Sequence, residues 1–185
     1  MGRYARAVRR RSVGERLAGA THRRLGLGCA LLIFALDQFS KWAMLGPLRL
    51  MERGVIELLP IFEFRFVANH GVSMGFLTAG SPLERWLLVA LTAVIAGFVS
   101  VWLWRERKRL DVFALGLVLG GAIGNIVDRV RFGFVLDFLD LHFGDWHPFL
   151  VFNVADAAIT IGVLLLVLRA LLTRERRDPA ENVNA

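Results

Sequence analysis

Hydrophobic residues in this chain come in long unbroken runs separated by short blocks of charge. Four runs, at about residues 26–45, 84–104, 112–131 and 150–172, are each long enough to be helices crossing a membrane, since a hydrocarbon core of roughly 30 Å takes about 20 helical residues. Between the first two runs the pattern changes. The stretch "FEFRFVAN" (62–69) alternates apolar and polar positions, which is the period of a half-buried strand. The pattern therefore predicts an α-helical membrane protein of four transmembrane helices, with a small β-containing segment between helices 1 and 2.

Charge orients the bundle. Arg and Lys crowd the region before the first run, "RERKR" (105–109) and "RERR" (174–177), whereas 46–83 and 132–149 are poor in them. By the positive-inside rule, both termini and the loop after residue 104 are cytoplasmic and the two poor segments periplasmic. The expected organisation is a basic N-terminal tail (1–25), a membrane domain (26–172) and a C-terminal tail (173–185), with most of the first 20 residues and the last thirteen or so loose. Secretion is a poorer account of the N-terminus. The first apolar run exceeds the roughly 7–15 residues of a signal sequence, and it holds Asp37 and Lys41.

Composition sharpens this picture at two points. The chain has 185 residues, 56% of them hydrophobic, and a formal charge of +7. That charge sits in blocks between apolar runs and not along one soluble face, so topology explains it and no nucleic-acid partner is expected. The single Cys29 excludes an internal disulfide and reads as a small buried apolar residue.

Carboxylates beside lipid are the candidate chemistry, because an ionised Asp near the bilayer centre costs about 2.5–3.5 kcal/mol on insertion scales. Asp140 and Asp145 read as solvated acids near the outer surface. Asp37 and Lys41 are four apart and able to pair on one helix face. Asn125 and Asp128, and likewise Asn153 and Asp156, are three apart, so each amide shares a face with its acid. Arg129, next to Asp128, is the expected cationic partner for at least one of Asp128, Asp137 and Asp156, and Asp137 has no such neighbour closer in sequence than Arg131. Two carboxylates brought together cannot both ionise easily and hold one proton between them, which suits acid–base attack by water on a peptide. Metal chemistry has little support, as His70, His142 and His147 fall in no ligand spacing. Nor do the serines stand in a nucleophile motif. Gly116, Gly120 and Gly124, four apart, predict a close helix seam. A proton-coupled transporter is the competing class, but no internal repeat or broken helix supports it.

Five blocks in order, "DQFSKW" (37–42), "NHGVSMGFL" (69–77), "GGAIGNIVDR" (120–129), "GFVLDFLD" (133–140) and "FNVADAAITIG" (152–162), resemble the signal peptidase II family of bacterial membrane aspartic proteases. The resemblance implies a catalytic pair, Asp137 in "VLDF" and Asp156 in "FNVAD". It implies site-supporting or substrate-binding roles for Asp37, Lys41, Asn69, Gly71, Asn125, Asp128, Arg129, Asn153 and Ala155. It also implies an intramembrane endopeptidase without cofactor or metal, cutting diacylglyceryl-modified prolipoproteins before the lipidated cysteine in the bacterial inner membrane. The expected partners are lipid-modified prolipoprotein and membrane phospholipid, and the expected state is a monomer. One block departs: where such proteins commonly have "GAAF", residues 71–74 read "GVSM", which replaces an aromatic with Met74.

Overall fold

The computed structural model describes residues 2–71 and 81–174, with side chains for 22–71 and 81–172. Along the chain run α1 (Gly2–Leu45), α2 (Leu50–Arg53), β1 (Val55–Leu59), β2 (Phe62–Asn69), α3 (Pro82–Arg105), α4 (Arg109–Phe132), β3 (Val135–Leu141) and α5 (Val154–Arg174). Four of these, α1, α3, α4 and α5, contain spans long and apolar enough to cross a membrane. The expectation of loose residues at the N-terminus is corrected: α1 is continuous from Gly2. Arg and Ala make up half of residues 2–21, and both are strong helix formers. The "GVSM" departure and the last eleven residues lie largely or wholly outside the described residues.

α4 is the axis of the bundle. Of its span 61% is buried inside protein, against 17–22% in the other three, so most of what those helices show faces lipid. Its glycines make this possible. A Cβ added at Gly116 would lie 2.5 Å from the Gly26 carbonyl oxygen, one at Gly120 2.5 Å from that of Ala30, and one at Gly124 2.5 Å from an Asp37 carboxylate oxygen. The predicted seam is thus the α1–α4 contact, where small residues let backbones touch without hydrophobic drive. Gly121 meets the Ala155 carbonyl of α5 in the same way. Half-buried Cys29 sits on the seam with its Cβ beside Gly116.

Gly120→Ala is expected to lower stability by about 1–3 kcal/mol, the usual cost of overpacking. Gly97→Ala, with open space around the new methyl, should leave it unchanged. Thermal unfolding of both variants in one detergent checks the contrast.

The sheet is antiparallel in the order β1-β2-β3, so the predicted hairpin forms, but with a third strand. The third strand lies in the 132–149 segment, for which the pattern predicts no strand. The reason is visible in "VLDFLDL": its two acids are three apart, which breaks the period of two, and both faces of β3 are covered. An odd spacing sends Asp137 and Asp140 to opposite faces. α5 also starts at Val154 and not at 150. Residues before it are held in extended form, because Phe152 exchanges backbone hydrogen bonds with Leu139 of β3 at 2.8 and 3.1 Å. Met44, Leu50, Leu136 and Phe138 form the apolar core beneath the sheet.

Candidate active site

The site begins with how α5 starts. Asn153 and Asp156 form a reciprocal cap: the Asp156 N–H donates to Asn153 Oδ1 at 2.9 Å and the Asn153 N–H donates to Asp156 Oδ2 at 3.3 Å. This satisfies two otherwise orphaned backbone donors and fixes the acid in the first turn. It leaves the Asn153 amide nitrogen free to donate to Asp137 Oδ1 on β3, at 2.6 Å. One residue therefore ties both candidate acids together.

Two further amides complete the frame. Asn125 of α4 donates to Asp156 Oδ1 at 2.8 Å, and Asn69 at the end of β2 donates to Asp137 Oδ2 at 2.9 Å. Asn69 is oriented by Gly71, whose N–H donates to Asn69 Oδ1 at 2.9 Å. Gly71 has φ +101°, and a Cβ there would sit 2.5 Å from Leu88 Cδ1, so backbone and space both call for glycine. Asp137 is buried, whereas Asp156 is half-buried. Burial raises the Asp137 carboxyl to about 6, against the hydrogen bond from Asn69 and with further help from the charge of Asp156.

Beneath them lies a buried ionic brace. Lys41 Nζ contacts Asp37 Oδ2 at 2.9 Å and Asp128 Oδ2 at 2.6 Å, and it reaches Asn125 Oδ1 at 3.4 Å. Asp37 Oδ1 accepts the Ala155 N–H at 3.0 Å and Asp128 Oδ2 accepts the Leu136 N–H at 3.2 Å. Four elements, α1, α4, β3 and α5, thus meet on three charges. The predicted Asp37–Lys41 pair forms. The cation in contact with Asp128 is Lys41, which the sequence pairs only with Asp37, and Arg129 Nη1 donates to the Asn125 carbonyl at 3.4 Å. Arg129 still faces the negative charges of Asp156, Asp137 and Asp128. Sequence reading missed Gln38, which donates to Asp128 Oδ1 at 2.9 Å and Asp37 Oδ2 at 3.2 Å. Its place beside Asp37 in "DQFSKW" was the signal.

Asp140 is a second correction. It is buried, not solvated, with Arg65 Nε at 2.9 Å and His147 Nδ1 at 3.0 Å. These partners hold its carboxyl below the usual range against the effect of burial. Glu63, Asp140 and His142 come within 4.8 Å of one another, but the Arg65 guanidinium already spans Glu63 and Asp140. That arrangement needs no metal cation to balance it. Asp145 is exposed, as expected.

A cavity of about 290 Å³ opens against Asp156, lined by Phe149, Leu150, Phe152, Ala157 and Ile161. Its walls are apolar except for Asp156 and the hydroxyl residue Thr160.

Known proteins resemble this chain over most of its length. Residues 29–172 match the family described as signal peptidase (SPase) II. A lipoprotein signal peptidase of Rhizorhabdus wittichii is 67% identical over 168 residues, covering 91% of this chain and 98% of its own length. One from Sphingopyxis alaskensis is 51% identical, covering 89% and 95%. A solved bacterial membrane enzyme, determined by the in meso method at 2.3 Å, superposes with a TM-score of 0.70 at 26% identity over 84% of this chain and 93% of its own. Because the family match runs over residues 29–172 and a relative is 67% identical across 91% of the chain, with four helices long and apolar enough to cross a membrane, the chain belongs to the signal peptidase II family and is a multi-pass bacterial membrane peptidase.

Proposed function

We propose that the chain is an aspartic endopeptidase whose acid–base pair is Asp137 and Asp156, acting on lipid-modified prolipoproteins and cutting before the lipidated cysteine. The observation that carries this reading is Asn153, which donates its amide to one carboxylate and its backbone N–H to the other. Residues 46–83 and 132–149 then lie outside the inner membrane and both termini in the cytoplasm. The membrane domain, residues 26–172, works as a monomer.

The reaction follows from the shared proton. With one carboxylate ionised and its neighbour protonated, the ionised oxygen takes a proton from water as the water attacks the scissile carbonyl. The protonated neighbour donates to the carbonyl oxygen. The first carboxyl then passes its proton to the leaving nitrogen while the second takes back a hydroxyl proton of the diol, which breaks the C–N bond, re-forms the carbonyl and restores the pair. Asn69, Asn125 and Asn153 keep both carboxylates oriented, and the brace of Lys41, Asp37 and Asp128 holds the elements that carry them. Arg129 supplies positive field at the site. The apolar cavity at Asp156 suits a substrate arriving through lipid, with its acyl chains or signal helix against Phe149 and Ile161.

Purified protein in detergent should cleave a prolipoprotein bearing a diacylglyceryl cysteine, and mass spectrometry should find the new N-terminus at that cysteine. Equal cleavage of the unmodified precursor would overturn the substrate assignment.

The pH profile gives a sharper check. The productive state has one proton on the pair, so kcat/KM should fall as pH rises through the value of the more basic member, for which Asp137 stands at about 6. Asn69 donates to Asp137 and so favours its ionised form. Asn69→Ala should therefore move the alkaline limb to higher pH as well as lower the rate. A limb that stays in place would show that Asp137 does not titrate in the profile.

A further inference from the structure

Where α1 meets the loop between α3 and α4, the fold gathers more cations than it answers with acids. His22 Nδ1 lies 2.8 Å from the Arg107 carbonyl oxygen, and Arg23 Nε donates to that of Trp104 at 2.9 Å. These contacts bring the part of α1 that carries His22 and Arg23, with exposed Arg24 next in sequence, against the segment that carries Arg105, Arg107, Lys108 and Arg109. The two acids within the loop and the first turn of α4 are engaged already. Glu106 Oε1 accepts the backbone N–H groups of Arg107 and Lys108 at 2.8 and 2.9 Å, and Asp111 pairs with Arg169.

The start of α4 adds to this imbalance. Its N-cap is Lys108, which makes no side-chain capping bond, and Arg109 follows. A helix N-terminus carries partial positive charge and normally attracts acids. Here exposed cations stand on it, which favours a bound anion. Immediately beside it, a cavity of about 460 Å³ between α1 and α4 is lined by Leu25, Leu110 and Phe113 together with Arg109. Charge alone would suit any phosphate. The adjoining apolar cavity, at the end of membrane-crossing helices, suits an acyl chain.

We infer that this is a binding site for one anionic phospholipid, its phosphate against Lys108, Arg109 and the first N–H groups of α4, and an acyl chain laid on Leu25, Leu110 and Phe113. The site lies at the far end of the spans from Asp137 and Asp156 and does not depend on their catalytic role. Basic clusters next to a span gain affinity for anionic lipid with each charge, about fivefold per Lys or Arg.

Native mass spectrometry of the full chain, released from nanodiscs of mixed dioleoyl phosphatidylglycerol and dioleoyl phosphatidylcholine, tests this. One phosphatidylglycerol should be retained in preference to phosphatidylcholine. Lys108→Gln with Arg109→Gln should weaken that retention by about 25-fold, while Arg53→Gln at the opposite end should not. Both positions are exposed, and unchanged unfolding temperatures in phosphatidylcholine alone would establish that the variants fold. Equal retention of the two lipids by the unaltered chain, or undiminished retention by the double variant, would overturn the site. Displacement by soluble glycerol phosphate at matched concentration would overturn the lipid assignment in favour of a free phosphate.

Discussion

Asp137→Asn and Asp156→Asn are each expected to lower cleavage of a lipidated prolipoprotein by at least about 10²- to 10⁴-fold, the range that positioned acid–base groups contribute. An amide keeps the shape of the carboxyl but cannot pass a proton at neutral pH. The two replacements should differ in their effect on stability. At position 137 both carboxylate oxygens accept amide N–H groups, from Asn153 and Asn69, so a new NH2 must face one of them donor to donor. Removing a buried acid whose carboxyl burial already disfavours as an anion offsets part of that loss. At position 156 the carboxylate belongs to the cap of α5, and its loss should loosen the first turn. Because the pair works as a unit, the double variant should be hardly slower than either single one. Single-turnover cleavage, read beside thermal unfolding, separates lost chemistry from lost fold. Near-native turnover by either folded variant would remove the aspartic mechanism.

Lys41→Met should be the most damaging single change to the fold. Its ammonium is buried between Asp37 and Asp128, neither of which reaches solvent. Without it two carboxylates face each other with only Gln38 and backbone N–H groups for compensation. Removing one partner of a buried ionic cluster costs about 3–5 kcal/mol, a large part of a typical stability of about 5–15 kcal/mol. The loss reaches the site directly, since Asp37 anchors the Ala155 N–H at the start of α5 and Asp128 anchors Leu136 next to Asp137. Adding Asp128→Asn to Lys41→Met removes one unbalanced charge and should recover part of the unfolding temperature. Lys41→Arg should not substitute, because a planar fork does not fit a point contact at 2.6 and 2.9 Å. If Lys41→Met unfolds at the same temperature as the unaltered chain, the brace does not hold the bundle.

Much of this was legible along the chain. The four spans follow from length and hydropathy alone, and the glycine seam from spacing, because both are local or one-dimensional properties. The Asp37–Lys41 pair followed from helical periodicity. Asn153 with Asp156 was seen as a shared face, and the helix start that couples them is also local. β3 was not legible, since "VLDFLDL" carries no period of two and its pairing partner β2 lies about seventy residues earlier. Nor was Asp140, whose burial depends on Arg65 from that same distant strand.

Chain composition and spacing by themselves determined that this protein crosses a membrane four times, that its helices pack through glycine, and which acids were too costly in lipid to be incidental. Tertiary structure alone decided which charges meet. Lys41 balances Asp128, and Asn69 and Asn153 flank Asp137. The physical reason is range: periodicity and burial cost act within one segment. The partner of a buried charge is set by strand register and helix crossing, which join residues that no sequence window contains.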